Sequence, residues 1–380
     1  MRGFQPLSQP IPRLALPTRS LRRPLSTILP ITITITPGTL RGVMSSQRED
    51  SIPHKLRTAA EPRQNRLYPV RLSHVEQVNP SIRLLQFTIP AEESNDDKDG
   101  QQPFSFLPGQ WLDVHIPSIS TAGGFTITST PADAQALPSP EAPGAEPLLG
   151  EEAGSSIPLR GREPYVELAI QDSPANPPAA WLWKPKGEIV GKELNIRVGG
   201  SFVWPPTGVD VRKVKNVVFI AGGVGINPLI SILSHLNNQV ESTRPLNVHF
   251  LYSSRLPQGH ETASPEESLN QILFLPRIRQ IIRSQRQSHR LRISLDLFLT
   301  DWKSSRLTPA NSPTDLTIHS KRIEKHDLQS AVIGGDGKLD PRESVAYVCG
   351  PPQMTDEMVA MLKDILGEGG EQRVFFEKWW

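Results

Sequence analysis

The sequence of 380 residues holds one cysteine, Cys349. A lone thiol forms no internal disulfide and by itself holds neither an iron–sulfur cluster nor a cysteine-type zinc site, so no metal site is expected and any redox cofactor is organic or belongs to a partner. Long apolar runs are also missing. None reaches the roughly 18–20 residues that span a bilayer as a helix, so no integral membrane segment is expected. Charge of one sign is not in excess either: 41 basic residues stand against 39 acidic ones, for a net charge of +2. Such a balance gives no global field to recruit nucleic acid or acidic lipid, and partners must be read from individual sites.

One absence is local. From Met1 to Arg48 there is no acidic residue, while Arg2, Arg13, Arg19, Arg22, Arg23 and Arg41 recur among Ser, Thr and Leu. That is the composition of a transit peptide, because an inner-membrane potential pulls positive charge inward and each carboxylate opposes the pull. Residues 1–48 are therefore expected to be a mitochondrial address, directed to the matrix, or a disordered basic tail. Residues 49–66 read as a linker.

What is present divides the remainder in two, as the length suggests at roughly 150 residues per domain. Over 67–208 the apolar residues alternate in short runs: Val70 to Val75, Ile82 to Ile89, Trp111 to Ile116, Tyr165 to Ile170 and Leu194 to Val198. About six short strands joined by irregular loops predict a small antiparallel Greek-key β-barrel. The acidic stretch Glu92 to Asp99 reads as an exposed loop, and 132–160 as an exposed, disordered insertion. Over 213–380 strands alternate with helices. Strands are expected at Asn216 to Ala221, Val248 to Tyr252, Leu291 to Thr300, Ser344 to Cys349 and Arg373 to Phe376, with helices at Leu229 to Leu236 and Met354 to Leu366. This pattern predicts an α/β doubly wound parallel sheet, with ligands outside the carboxyl ends of its strands. Leu256 to Leu269 and Ser304 to Arg342 read as insertions.

Two strand-to-helix turns carry the chemistry. The first is Gly222-Gly223-Val224-Gly225-Ile226-Asn227-Pro228, after the apolar strand. Glycines let a backbone approach phosphate, a helix N-terminus supplies free N–H groups and positive dipole, and Asn227 before Pro228 suits an N-cap. The second is Cys349-Gly350-Pro351, where a small thiol at a strand end could lie against a flat ring. Each turn alone is equally well a structural feature. Together, and with Phe106-Leu107-Pro108-Gly109-Gln110, they resemble the ferredoxin-NADP reductase superfamily over about Leu67 to Trp380.

The resemblance implies an NAD(P)H-dependent oxidoreductase: a flavin-type barrel, likened to FAD-carrying proteins, receives hydride from NAD(H) or NADP(H) and passes electrons to a further acceptor that the sequence leaves unnamed. It implies that Gly222 to Asn227 face the pyrophosphate, that Cys349, Gly350 and Pro351 border the nicotinamide, and that Ser254 and Arg255 read the adenosine ribose. Trp380, or its neighbour Trp379, would be a lid over the flavin. The flavin motif, ordinarily Arg, any residue, Tyr, then Ser or Thr, corresponds to Gly123-Gly124-Phe125-Thr126. Thr126 would then face the flavin N5 and act with Cys349 and Trp380 in catalysis, while Gly124, Phe125 and Thr128 contact the ring system. Losing the Arg costs about 1.5–3 kcal/mol of charge-assisted phosphate binding, which Lys184, Lys186 or Arg197 could replace, as could the amides of Ala179 to Trp181. A nucleotide-binding protein without flavin, used as a sensor or in assembly, and a reductase of free flavin remain as alternatives.

Overall fold

A computed structural model describes residues 54–90, 103–136, 162–239, 245–257, 264–301 and 315–379. The expected address segment, most of the 132–160 insertion, the acidic stretch from Glu92 to Asp99 and Trp380 lie outside the described residues.

The alternating segments form strands β1 (Tyr68–Asn79), β2 (Ile82–Thr88), β3 (Trp111–His115), β4 (Gly123–Thr126), β5 (Tyr165–Gln171) and β6 (Glu193–Gly199). Along β1, Tyr68, Val70 and Leu72 are buried while Pro69, Arg71 and Ser73 are exposed. This is the alternation expected when one face of a pleated strand packs on a core. The strands pair in the order β4-β3-β6-β1-β2-β5, every neighbour antiparallel, and a bridge between Ile127 and Leu168 closes the barrel. Alternate residues of the strands fill the interior, among them Leu72, Leu85, Leu112, Val166, Leu168 and Ile196. Helix α2 (Pro177–Leu182) contributes Ala179 and Leu182 to the same core, and the short α3 (Lys186–Ile189) contributes Ile189.

The second half forms a six-stranded parallel sheet in the order β10-β9-β8-β7-β11-β12: β7 (Asn216–Gly222), β8 (Leu246–Ser254), β9 (Leu291–Leu299), β10 (Thr317–His319), β11 (Ser344–Gly350) and β12 (Val374–Lys378). Every residue of β7 and β11 is buried, which central parallel strands require because helices cover both faces. Helices α4 (Ile226–Asn238), the short α5 (Pro265–Asn270) and α6 (Leu275–Ser288) pack on one face, and α7 (Lys325–Ile333) and α8 (Pro352–Leu366) on the other. The chain leaves β7 toward β8 on one side and returns to β11 on the other, so the crevice of a doubly wound sheet opens between the ends of these two strands.

Several expectations need correction. The linker over 49–66 is part of the barrel from His54 onward: it begins with the short helix α1 (His54–Arg57), and Arg63 bridges to Gly199. The start of the expected disordered insertion, 132–136, is a turn in which Asp133 accepts hydrogen bonds from Thr130. The presumed insertion Ser304 to Arg342 contains β10 and α7, and the 14-residue α6 was not anticipated. Its buried Leu275, Ile278, Ile281 and Ile282 have helical spacing, but Arg, Gln and Ser at nine intervening or following positions mask the stripe.

Candidate functional site: a nucleotide crevice and a covered barrel strand

The apolar run Val217 to Ala221 makes β7, and the glycines after it turn the chain into α4. These glycines do different things. A Cβ on Gly225 would stand 2.2 Å from the Cys349 carbonyl oxygen and 2.7 Å from the Gly350 nitrogen; one on Gly222 would stand 2.6 Å from Met354 Sδ and 2.8 Å from Pro351 Cδ. The two turns therefore press backbone to backbone, and Gly222 and Gly225 are spent on that contact. Gly223 alone is exposed, has φ +55°, and has no heavy atom within 4 Å of where a Cβ would sit. Beside it, the first turn of α4 presents the positive end of a 13-residue helix. The buried Tyr252 hydroxyl lies 3.4 Å from the Gly223 carbonyl oxygen, and burial pushes its pKa upward.

Asn227 is not the N-cap. The helix begins at Ile226 after Gly225, and the buried Asn227 side chain donates to the Ala169 carbonyl of the barrel at 3.0 Å. Ile226 is fully buried, Val224 partly so, leaving backbone rather than side chains for any ligand. Ser254 donates to the Arg255 carbonyl at 3.1 Å, and Arg255 is exposed at the end of β8.

Cys349 is aligned with Ala221 on one side and Glu377 on the other. It has no exposed surface, and burial, reinforced by Glu377, pushes its thiol up. The thiol is therefore neutral and packed, and the wall toward the crevice is made by the backbone of Gly350 and Pro351. Glu377 is partly exposed yet hemmed in by protein on most sides, and this desolvation pushes its carboxyl up to about 8 against a lowering hydrogen bond from Trp379. The Trp379 indole donates to Glu377 at 3.0 Å and its amide to the Gly350 carbonyl at 3.1 Å. A small cavity of about 220 Å³ lies alongside, bounded by Glu61, Ser201, Phe202, Phe375 and Glu377.

The residues that the resemblance assigns to flavin do not fit one. Over Gly123, in the place of the family's Arg, a Cβ would meet the Phe125 ring at 2.5 Å and Pro178 at 2.6 Å. Phe125 is buried on the core side with Leu112, its partner across β3, so its face is not free to stack. On the opposite side of β4, a Cβ at Gly124 would lie 2.0–2.3 Å from three atoms of the His54 ring. Thr126 is buried, and Thr128 donates to Glu167 at 2.8 Å. Of the replacement cations, Arg197 pairs with Asp113 at 2.7 Å, whereas Lys184 and Lys186 are exposed. The Ala180 amide already donates to Asn176. With both sides of β4 filled by the chain's own rings, no flavin is accommodated there in this form.

Sequence reasoning missed two clusters. Asp113, 1 % exposed in the middle of β3, receives Arg63 at 3.0 Å and Arg197, and lies 3.2 Å from His54 Nε2, too poorly aligned for a regular hydrogen bond. Burial alone would raise its pKa, but the contacts with His54, Arg197 and Arg63 outweigh burial and hold it well below the carboxylate range. An Asp at the centre of a strand was the available signal, since a buried carboxylate demands partners. The second cluster joins the two halves of the molecule. The buried Glu167 takes both Arg277 nitrogens at 2.9 and 3.1 Å, Ser231 donates to the Ser129 carbonyl at 2.7 Å, and Tyr347 to that of Val203 at 2.9 Å.

Comparison with known proteins agrees with this architecture. Residues 214–361 match the family described as Ferric reductase NAD binding domain. Over 362 residues the chain is 27 % identical to human oxidoreductase NAD-binding domain-containing protein 1, covering 95 % of this chain and 92 % of that one. Among solved structures it is similar to the cytochrome b5 reductase domain of Ulva prolifera nitrate reductase, with a TM-score of 0.52 at 13 % identity, covering 82 % of this chain and 97 % of that one. It is also similar to a ferredoxin NADP+ reductase from Neisseria gonorrhoeae with bound FAD and NADP, with a TM-score of 0.51 at 13 % identity, covering 83 % and 99 %.

Proposed function

We propose that this chain, which has the ferredoxin reductase-like two-domain fold, binds NADH or NADPH in the crevice between β7 and β11 and acts as an NAD(P)H-dependent oxidoreductase toward a separate acceptor. The observation that carries the reading is the exposed, left-handed Gly223 beside the first turn of α4, held against the second turn by the Gly225 contact. Backbone amides and a helix dipole at that point suit an anionic pyrophosphate. When bound, the nicotinamide supplies a hydride. The chain's own contribution is to seat it: Gly350 and Pro351 form a wall without bulky side chains, Ser254 and Arg255 stand at the end of β8 where a ribose would lie, and Trp379 borders the crevice from β12.

The test is a fluorescence titration of the full chain with NADH and NADPH. Gly223→Val is expected to weaken binding at least tenfold, about 1.4 kcal/mol; unchanged affinity would remove the assignment. The poor fit of β4 to flavin favours a second reading, a nucleotide-binding protein without redox turnover. NADH oxidation by a quinone, which accepts the hydride's two electrons with a proton, measured with and without added FAD, separates the two: turnover supports the oxidoreductase, and tight nucleotide binding without turnover in either case supports the second reading.

A further inference from the structure

We propose that residues His54–Glu61 form a strap, clasped by Arg63, that bars flavin from β4, so that a flavin is admitted only when the strap has lifted. This goes beyond the nucleotide reading and does not depend on it. The strap's deepest side chain is the His54 ring, which lies on the bare backbone of Gly124 and edge-on to Trp111 at 4.7 Å. The ring thus covers the strand that corresponds to the family's flavin motif. Arg63 is the clasp: its guanidinium reaches Asp113 at 3.0 Å, the Thr58 carbonyl at 2.6 Å and the Glu61 carbonyl at 3.2 Å, and also contacts the Thr58 hydroxyl. Glu61 in turn accepts from the Ser201 amide at 3.0 Å and hydroxyl at 2.6 Å.

Two features make the strap separable from the barrel. Apart from His54 no residue of its helix is fully buried, Arg57 being enclosed at its Nε, and Leu56 is 67 % exposed. Beyond it the chain is rooted by backbone bonds between Pro62 and Gly200 and between Gln64 and Val198, so the segment before Pro62 can move without unpairing the sheet. Asp113 keeps Arg197 as a partner when the strap is away, which spares it the cost of an unpaired buried carboxylate.

The experiment uses the full chain and three readouts: FAD and FMN titration, amide exchange over 54–61, and NADH affinity. Wild type is expected to purify without stoichiometric flavin and with protected strap amides. Gly124→Ala inserts a methyl where the His54 ring sits and evicts it; His54→Ala removes the ring without adding atoms. Both variants are expected to exchange faster over 54–61 and to bind FAD or FMN at least tenfold more tightly, with NADH affinity unchanged. If Gly124→Ala does not fold, His54→Ala alone decides. The proposal is overturned if wild type retains one flavin per chain with the strap protected, or if the variants free the strap and bind flavin no better than wild type. Loss of NADH binding in every form would count against the nucleotide reading instead.

Discussion

Replacing Gly225 with Ala probes the contact on which the nucleotide crevice rests. The added Cβ would stand 2.2 Å from the Cys349 oxygen and 2.5 Å from its carbonyl carbon, and both obstacles are backbone, so no rotamer change relieves them. Ordinary contact begins near 3.4 Å, so the two turns must part by roughly 1 Å. Overpacking of this kind costs typically ~1–3 kcal/mol. At roughly 2–4 °C per kcal/mol for a domain of this size, the midpoint about 2 kcal/mol lowers the melting temperature by about 4–8 °C. Gly223→Ala supplies the contrast: its φ of +55° makes Ala strained, by roughly 1–2 kcal/mol, but no neighbour has to move. The loop change then acts locally at Gly223 and through displacement of β11 at Gly225. Calorimetry and NADH titration of both variants check this. A Gly225→Ala protein that melts within about 1 °C of wild type and binds NADH equally well would refute the claim that the turns are held by glycine-to-backbone contact.

Two other expectations concern β11 and β12. The Glu377 carboxyl is raised to about 8 from 4.5, so between these values the native state holds a proton that the unfolded chain releases. That stabilising contribution is complete below the unfolded pKa and is lost as pH rises through the window; urea unfolding across it should give a falling slope that Glu377→Gln flattens, and identical slopes would contradict the assignment. Cys349, buried and held neutral, should resist a disulfide reagent in the native protein and release one equivalent on denaturation, since it is the sole thiol. Rapid labelling of the native protein would mean that β11 is open at its carboxyl end.

The alternation of Tyr68, Val70 and Leu72 and the unbroken apolar runs before Gly222 and Gly350 were enough to fix a barrel followed by a parallel sheet, because the side-chain period reports directly which faces are buried. Local signals also placed both turns, although the helices after them start at Ile226 and Pro352, ahead of the expected Leu229 and Met354. What they could not supply was the division of labour within them. Whether a glycine is kept for a ligand or for a neighbouring backbone depends on what stands opposite, and Cys349 lies 124 positions beyond Gly225. The same limit applies to β4. Its spacing suggested a weakened flavin motif, but the inward turn of Phe125, the capture of Thr128 by Glu167 and the arrival of His54 over Gly124 all come from distant segments. Periodicity along the chain determined the two domains and the position of the crevice; contacts across the fold decided that Gly223 alone is left open to a ligand and that β4 is covered, because occupancy of a surface is a property of everything packed against it.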